Sequence, residues 1–148
     1  PGAVVGAGTI TKSNDIKDAI NAGASFAVSP GVTDTILEES ERHNLAIMPG
    51  AATPSEIMRL FEFGYSVQKF FPAEANGGRA ALKAIAGPLP NVKFCPTGGI
   101  NRDNAKGYLE LENTLCVGGS WVATQKLIEN KDWRTIHDLA KKASILVS

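Results

Sequence analysis

Cysteine is scarce: the 148 residues hold only Cys95 and Cys116, both inside short apolar runs. With no CxxC spacing and no histidine beside either, they make neither a zinc site nor a disulfide framework, and buried reduced thiols are expected. Histidine is equally sparse. His43 and His137 fall in segments of helical periodicity, where surface or packing roles are ordinary. No apolar stretch approaches the roughly 20 residues that cross a bilayer. The opening Pro1-Gly2-Ala3-Val4-Val5 also lacks the charged and apolar regions of a secretory signal, so a cytoplasmic location is expected. Neither sign of charge runs in a block, and 15 Lys and Arg balance 15 Asp and Glu. That balance argues against a nucleic-acid surface or a basic membrane patch and in favour of a small-molecule partner. The HExxH and P-loop patterns are missing, and Gly6-Ala7-Gly8-Thr9 supplies only part of a dinucleotide fingerprint. No metal and no cofactor is expected.

What is present is a repeating order. Short apolar runs recur at Ala3–Val5, Phe26–Val28, Leu45–Met48, Val67–Phe71, Val92–Cys95 and Leu115–Val117, each followed within two residues by Pro or Gly, and read as six strands. Between them Asn14–Ala22, Asp34–His43, Ser55–Phe63, Gly78–Ala86 and Asn101–Leu109 carry helical periodicity. Thr53-Pro54-Ser55-Glu56 is the clearest helix start, with Thr53 as cap, Pro54 at the first helical position and Glu56 completing a capping box. Lys131–Val147 predicts a last helix packed outside the sheet. Strand and helix alternating in this way are the sequence form of βα units carrying a parallel sheet. No linker divides the chain, so residues 1–148 are expected to be one domain.

In such architectures the loops after the strands open on one face and carry the chemistry. Gly98-Gly99 and Gly118-Gly119 follow the last two strands, where bare backbone amides hold phosphate in many barrels. Either pair alone would be read as a tight turn; two in adjacent units, one followed by Ser120, favour an anion site. Lys69 lies in an apolar run and is followed by Phe70 and Phe71. Poor solvation there would disfavour its charged form, and a neutral amine can attack a ketone to give an imine that accepts electrons as a neighbouring carbon–carbon bond breaks. Position alone also allows a structural lysine whose head stays in water, as at Lys93. Glu74 is open to an acid–base role, to pairing with Arg79, or to capping the helix near Gly77, with a structural role favoured. Trp121 reads as a core filler.

Lys69-Phe70-Phe71-Pro72-Ala73-Glu74-Ala75-Asn76-Gly77-Gly78 and Phe94-Cys95-Pro96-Thr97-Gly98-Gly99-Ile100 resemble blocks of the 2-keto-3-deoxy-6-phosphogluconate (KDPG) and 4-hydroxy-2-oxoglutarate (KHG) aldolase family. Val5-Gly6-Ala7-Gly8-Thr9, Ser29-Pro30-Gly31 and Gly118-Gly119-Ser120-Trp121 match in the same order. The resemblance implies a (β/α)8-barrel fold of the TIM type, of which this chain would supply six βα units, the third to the eighth. It implies that Lys69 forms the imine, that Thr9, Pro30 and Thr97 line the pyruvyl site, and that Gly98, Gly99, Gly119 and Ser120 hold the phosphate. It also implies cleavage of KDPG to pyruvate and glyceraldehyde 3-phosphate, cleavage of KHG to pyruvate and glyoxylate, no metal, and a homotrimer. The family's catalytic glutamate and a substrate-binding arginine belong to two βα units that precede the first strand here, and they correspond to no residue of this sequence. An N-terminally incomplete barrel with weak turnover is therefore expected. The alternatives are a partial barrel that binds phosphate without catalysis, and a phosphate-binding isomerase that leaves Lys69 without a task.

Overall fold

The computed structural model describes residues 2–146. Strands β1 (Gly6–Ala7), β2 (Phe26–Val28) and β3 (Ile47–Met48) form one parallel ladder, and β4 (Gly50–Ala51), β5 (Val67–Phe70) and β6 (Lys93–Pro96) form a second. Helices α1 (Asn14–Asn21), α2 (Asp34–Arg42), α3 (Pro54–Glu62), α4 (Gly78–Ala86) and α5 (Arg102–Leu109) alternate with them, followed by α6 (Gln125–Glu129) and α7 (Trp133–Ser144). Among the described residues no helix is long and apolar enough to cross a membrane.

The two ladders meet at Pro49. Sequence periodicity predicts one strand ending at Met48, yet the extended chain continues through Gly50–Ala51 and changes partner on the way, from β2 to β5. Proline has no N–H to donate to a ladder. Its carbonyl still accepts from Lys69 N at 2.9 Å, so pairing is handed from one neighbour to the other across it. The strand order follows the chain without the reversal that marks a doubly wound sheet.

The outermost strands depart from the sequence expectation. Ala3–Val5 is not a strand; pairing starts at Gly6, although Val5 O accepts from Ser25 N at 2.8 Å. This segment has a neighbour on one side only, and Val4 and Val5 stay exposed, so β-branched character alone does not bury them. Leu115–Val117 runs beside β6 through two isolated bridges, Phe94 with Thr114 and Thr97 with Gly118. One extra residue lies between those bridges on the outer segment, which interrupts the ladder as a bulge does. Leu115 and Cys116 are consequently exposed, and the expectation of two buried thiols is not met: Cys116 is exposed and Cys95 only partly buried.

Alternation along β5 and β6 turns Gln68, Phe70, Phe94 and Pro96 toward the helices, where all four are fully buried, and turns Lys69 and Cys95 to the opposite face. Phe70 and Phe94 meet edge to face, with centroids 6.1 Å apart. Their core includes Ile57, Leu60, Leu82, Ile85 and Tyr108, and the second core, under β1 and β2, is built from Ile10, Ile16, Ala27 and Ile36. Val32 and Ile47 pack against both. Trp121 is half-buried against the larger core. The α7 helix forms where expected, but none of its described residues is buried and Trp133 stands exposed; Val147 lies outside the described residues.

Helix α3 starts as its sequence requires. Thr53 Oγ1 accepts from Glu56 N, and the Glu56 carboxylate accepts from Ala52 N and Thr53 N, both at 2.9 Å. The Ala52 amide is the main reason that the Glu56 carboxyl is held below the usual glutamate range. Thr53→Ala is expected to lower unfolding stability by about 1 kcal/mol in urea denaturation. A folded carboxyl pKa below its unfolded value means that the Glu56 contribution is complete above the ordinary glutamate range and is lost as pH falls through the lowered value.

Candidate active site

Lys69 projects from the middle strand of the second ladder, paired with Gly50 on one side and Cys95 on the other. Its Nζ lies 4.6 Å from the centroid of the Phe71 ring. The side chain is partly buried, and desolvation, the dominant influence, lowers its pKa from the ordinary lysine value. Read from sequence alone, Phe71 counts only as part of the apolar run after Lys69, not as a wall of the site. Strand alternation is the signal that places it two residues on from Lys69 on the same face.

Phe71 also lines an open pocket of about 280 Å³, whose walls include Thr97, Gly98, Gly99, Gly119 and Ser120. Five of the eight residues singled out from sequence are thus brought together, with Phe71 between them and the lysine amine. Thr97 directly follows β6: its N donates to Phe70 O at 3.0 Å and its hydroxyl to Cys95 O at 3.2 Å. Gly98 and Gly99 turn with φ of 99° and 79°, a region that side-chain-bearing residues rarely adopt. Three further contacts hold that turn in place. Ala73 N donates to Thr97 O at 2.8 Å, Glu74 N to Gly98 O at 3.1 Å, and Asn104 Nδ2 to Gly99 O at 3.0 Å.

Glu74 accepts a hydrogen bond from the hydroxyl of the fully buried Tyr108, and burial, then this contact, pushes the tyrosine pKa up. The carboxylate therefore ties the loop after β5 to α5 rather than capping α4, and its stem packs where a Gly99 side chain would go. No local sequence signal announces a contact between residues 34 positions apart.

Pro30 and Thr9 lie two residues past the ends of β2 and β1 on the other ladder. The Pro30 backbone abuts Gly50, the register partner of Lys69, and so reaches the lysine through one residue. Thr9 is exposed and shares none of the pocket that holds the glycine turn. Its φ of 63° is unusual for a β-branched residue and marks local backbone strain. A larger cleft, of about 560 Å³, lies between α2 and the residues Phe63 and Tyr65. It opens at the amino ends of β3 and β5, away from Lys69 and from the face where parallel α/β sites form.

The family model described as KDPG and KHG aldolase matches residues 1–139. A 2-dehydro-3-deoxy-phosphogluconate aldolase of Pseudoalteromonas atlantica is 48% identical over 143 residues, which are 97% of this chain and 66% of that protein. The chain thus spans about two thirds of the length of this curated relative. The KDPG aldolase of Legionella pneumophila, solved with pyruvate captured as a covalent carbinolamine, superposes with a TM-score of 0.92 at 45% identity, covering 97% of this chain and 69% of that one. The Zymomonas mobilis ZM4 enzyme, solved with 3-phosphoglycerate, gives 0.90 at 43% identity, covering 99% and 68%. With a family match over nearly its whole length and relatives of this identity, the chain belongs to the KDPG and KHG aldolase family.

Proposed function

We propose that this chain is the imine-forming part of a class I aldolase barrel, supplying six of eight βα units and acting on a phosphorylated 2-keto acid. The observation that carries the reading is the amine of Lys69, partly desolvated and 4.6 Å from Phe71, beside a glycine-lined pocket at the carboxyl edge of the sheet. The neutral amine attacks C2 of the keto acid. The carbinolamine so formed loses water to give an iminium ion. As the C3–C4 bond breaks, its electrons flow into the iminium and the C4 hydroxyl loses its proton, releasing the aldehyde and leaving an enamine. Protonation at C3 and hydrolysis return pyruvate and the free amine. From KDPG the aldehyde is glyceraldehyde 3-phosphate; from KHG it is glyoxylate.

The backbone of Gly98, Gly99 and Gly119, with the Ser120 hydroxyl, would take the phosphate, and Thr97 and Pro30 would bound the pyruvyl group near the amine. The role assigned to Thr9 rests on the family resemblance and its strained backbone. Assembly as a homotrimer follows from the same resemblance.

Borohydride reduction in the presence of pyruvate tests the reading. Peptide mass mapping is expected to show one reduced pyruvyl adduct, on Lys69. No adduct, together with saturable binding of inorganic phosphate, would instead favour a non-catalytic phosphate-binding barrel.

A further inference from the structure

Cys95 and Cys116 have no part in the chemistry above. Cys95 is the register partner of Lys69 and faces the same side of the sheet. The segment bearing Cys116 borders the other side of β6, fastened by Leu115 N to Phe94 O at 3.0 Å and by Gly118 N to Pro96 O at 2.9 Å. The two cysteines therefore occupy neighbouring extended segments, in the stretch bracketed by the Phe94–Thr114 and Thr97–Gly118 bridges. Strands at such spacing, about 4.8 Å apart, fall within the Cα separations that a disulfide spans. Cys116 is exposed and Cys95 is partly buried behind it.

We propose that Cys116 and Cys95 form a peroxide-reactive thiol pair, with Cys116 as the attacking sulfur and Cys95 as the resolving one. The thiolate of Cys116 attacks one peroxide oxygen and the O–O bond breaks. This leaves a sulfenic acid on Cys116, and the departing oxygen is protonated to water or, for an alkyl peroxide, to an alcohol. The sulfur of Cys95 then attacks that of Cys116. The S–S bond forms, the S–O bond breaks, and the departing hydroxide takes the Cys95 proton as water. Two thiols have lost two electrons and two protons, and the peroxide has gained them.

The thiols already differ in the sense required. The neighbouring Cys95 thiol lowers the pKa of Cys116 to about 7, while Cys116, and then burial, pushes that of Cys95 far up. Near neutral pH Cys116 is therefore the richer of the two in thiolate, the form that attacks.

Hydrogen peroxide added to the purified chain, with peptide mapping under non-reducing conditions, tests the pair without any substitution. The expected product links the Cys95 and Cys116 peptides. The rate should rise through an inflection near pH 7 and at that pH exceed that of free cysteine severalfold. In Cys95→Ser the reaction should stop at a sulfenic acid on Cys116 that dimedone traps; in Cys116→Ser, Cys95 should stay reduced. A rate with no inflection near pH 7, or Cys116 advancing to sulfinic acid while Cys95 remains a free thiol, overturns the proposal. Neither outcome depends on imine formation at Lys69, so this proposal and the aldolase reading stand or fall separately.

Discussion

Lys69→Met is expected to abolish both the borohydride-trapped pyruvate adduct and all turnover above background. Methionine keeps an unbranched chain of similar length against Phe71 but offers no amine, so the electron sink is lost while the packing is conserved. The fold should report the change in the opposite direction. Lys69 has a folded pKa below its ordinary value of 10.5. Between those two values the unfolded chain binds more protons than the folded one, so wild-type stability rises with pH across the window. Below the window both states are charged and folding bears the whole cost of desolvating the ammonium. Urea midpoints should therefore be higher for Lys69→Met at neutral pH, and the difference should shrink as pH approaches 10.5. A trapped adduct on the variant would move the nucleophile to another residue.

Gly50→Ala should cause the largest loss of stability, about 3 kcal/mol, because its added methyl has nowhere to go. A Cβ there would collide with the carbonyl of Pro30 and lie 2.7 Å from Gly31 N. Backbone cannot swing aside as a side chain tip does, and Gly50 itself is buried at the join between the ladders. Gly50 is also the register partner of Lys69, so a shifted strand would misplace the amine. Urea denaturation gives the stability and pyruvate trapping gives the misplacement. A loss under 1 kcal/mol would show that the Pro30 turn yields freely.

Much of the architecture was legible because its signals are local. Thr53 with Glu56, and Asn101 at the start of α5, announce helix starts, and apolar spacing places five helices within a residue or so of where they lie. The break at Pro49 was not legible, since which neighbour each half-strand pairs with is settled between strands. Leu115–Val117 has strand composition, yet an extra residue in the pairing leaves it half outside. Helix α6 is too short and polar to show a period.

The candidate site divides in the same way. The glycine pairs could be read from sequence because their spacing follows the strand ends. Lys69 and Lys93 are alike in sequence, and only the fold separates them. Lys93 Nζ donates to Glu112 O at 3.0 Å, whereas Lys69 Nζ rests over an aromatic ring beside a pocket. The Cys95–Cys116 and Glu74–Tyr108 contacts join residues distant in sequence and depend wholly on tertiary structure.

Strand order bears finally on how the chain is made. β2, β3, β5 and β6 each pair with a segment synthesised roughly 20 residues before them, and β4, continuous with β3 through Pro49, waits only for the next strand, β5. Emerging from a ribosome, such a chain can add one βα unit at a time to a growing edge. Vectorial synthesis and the final topology then run in the same direction, and the glycine-turn pocket, built on the last units, would be completed after the strand bearing Lys69 is in place.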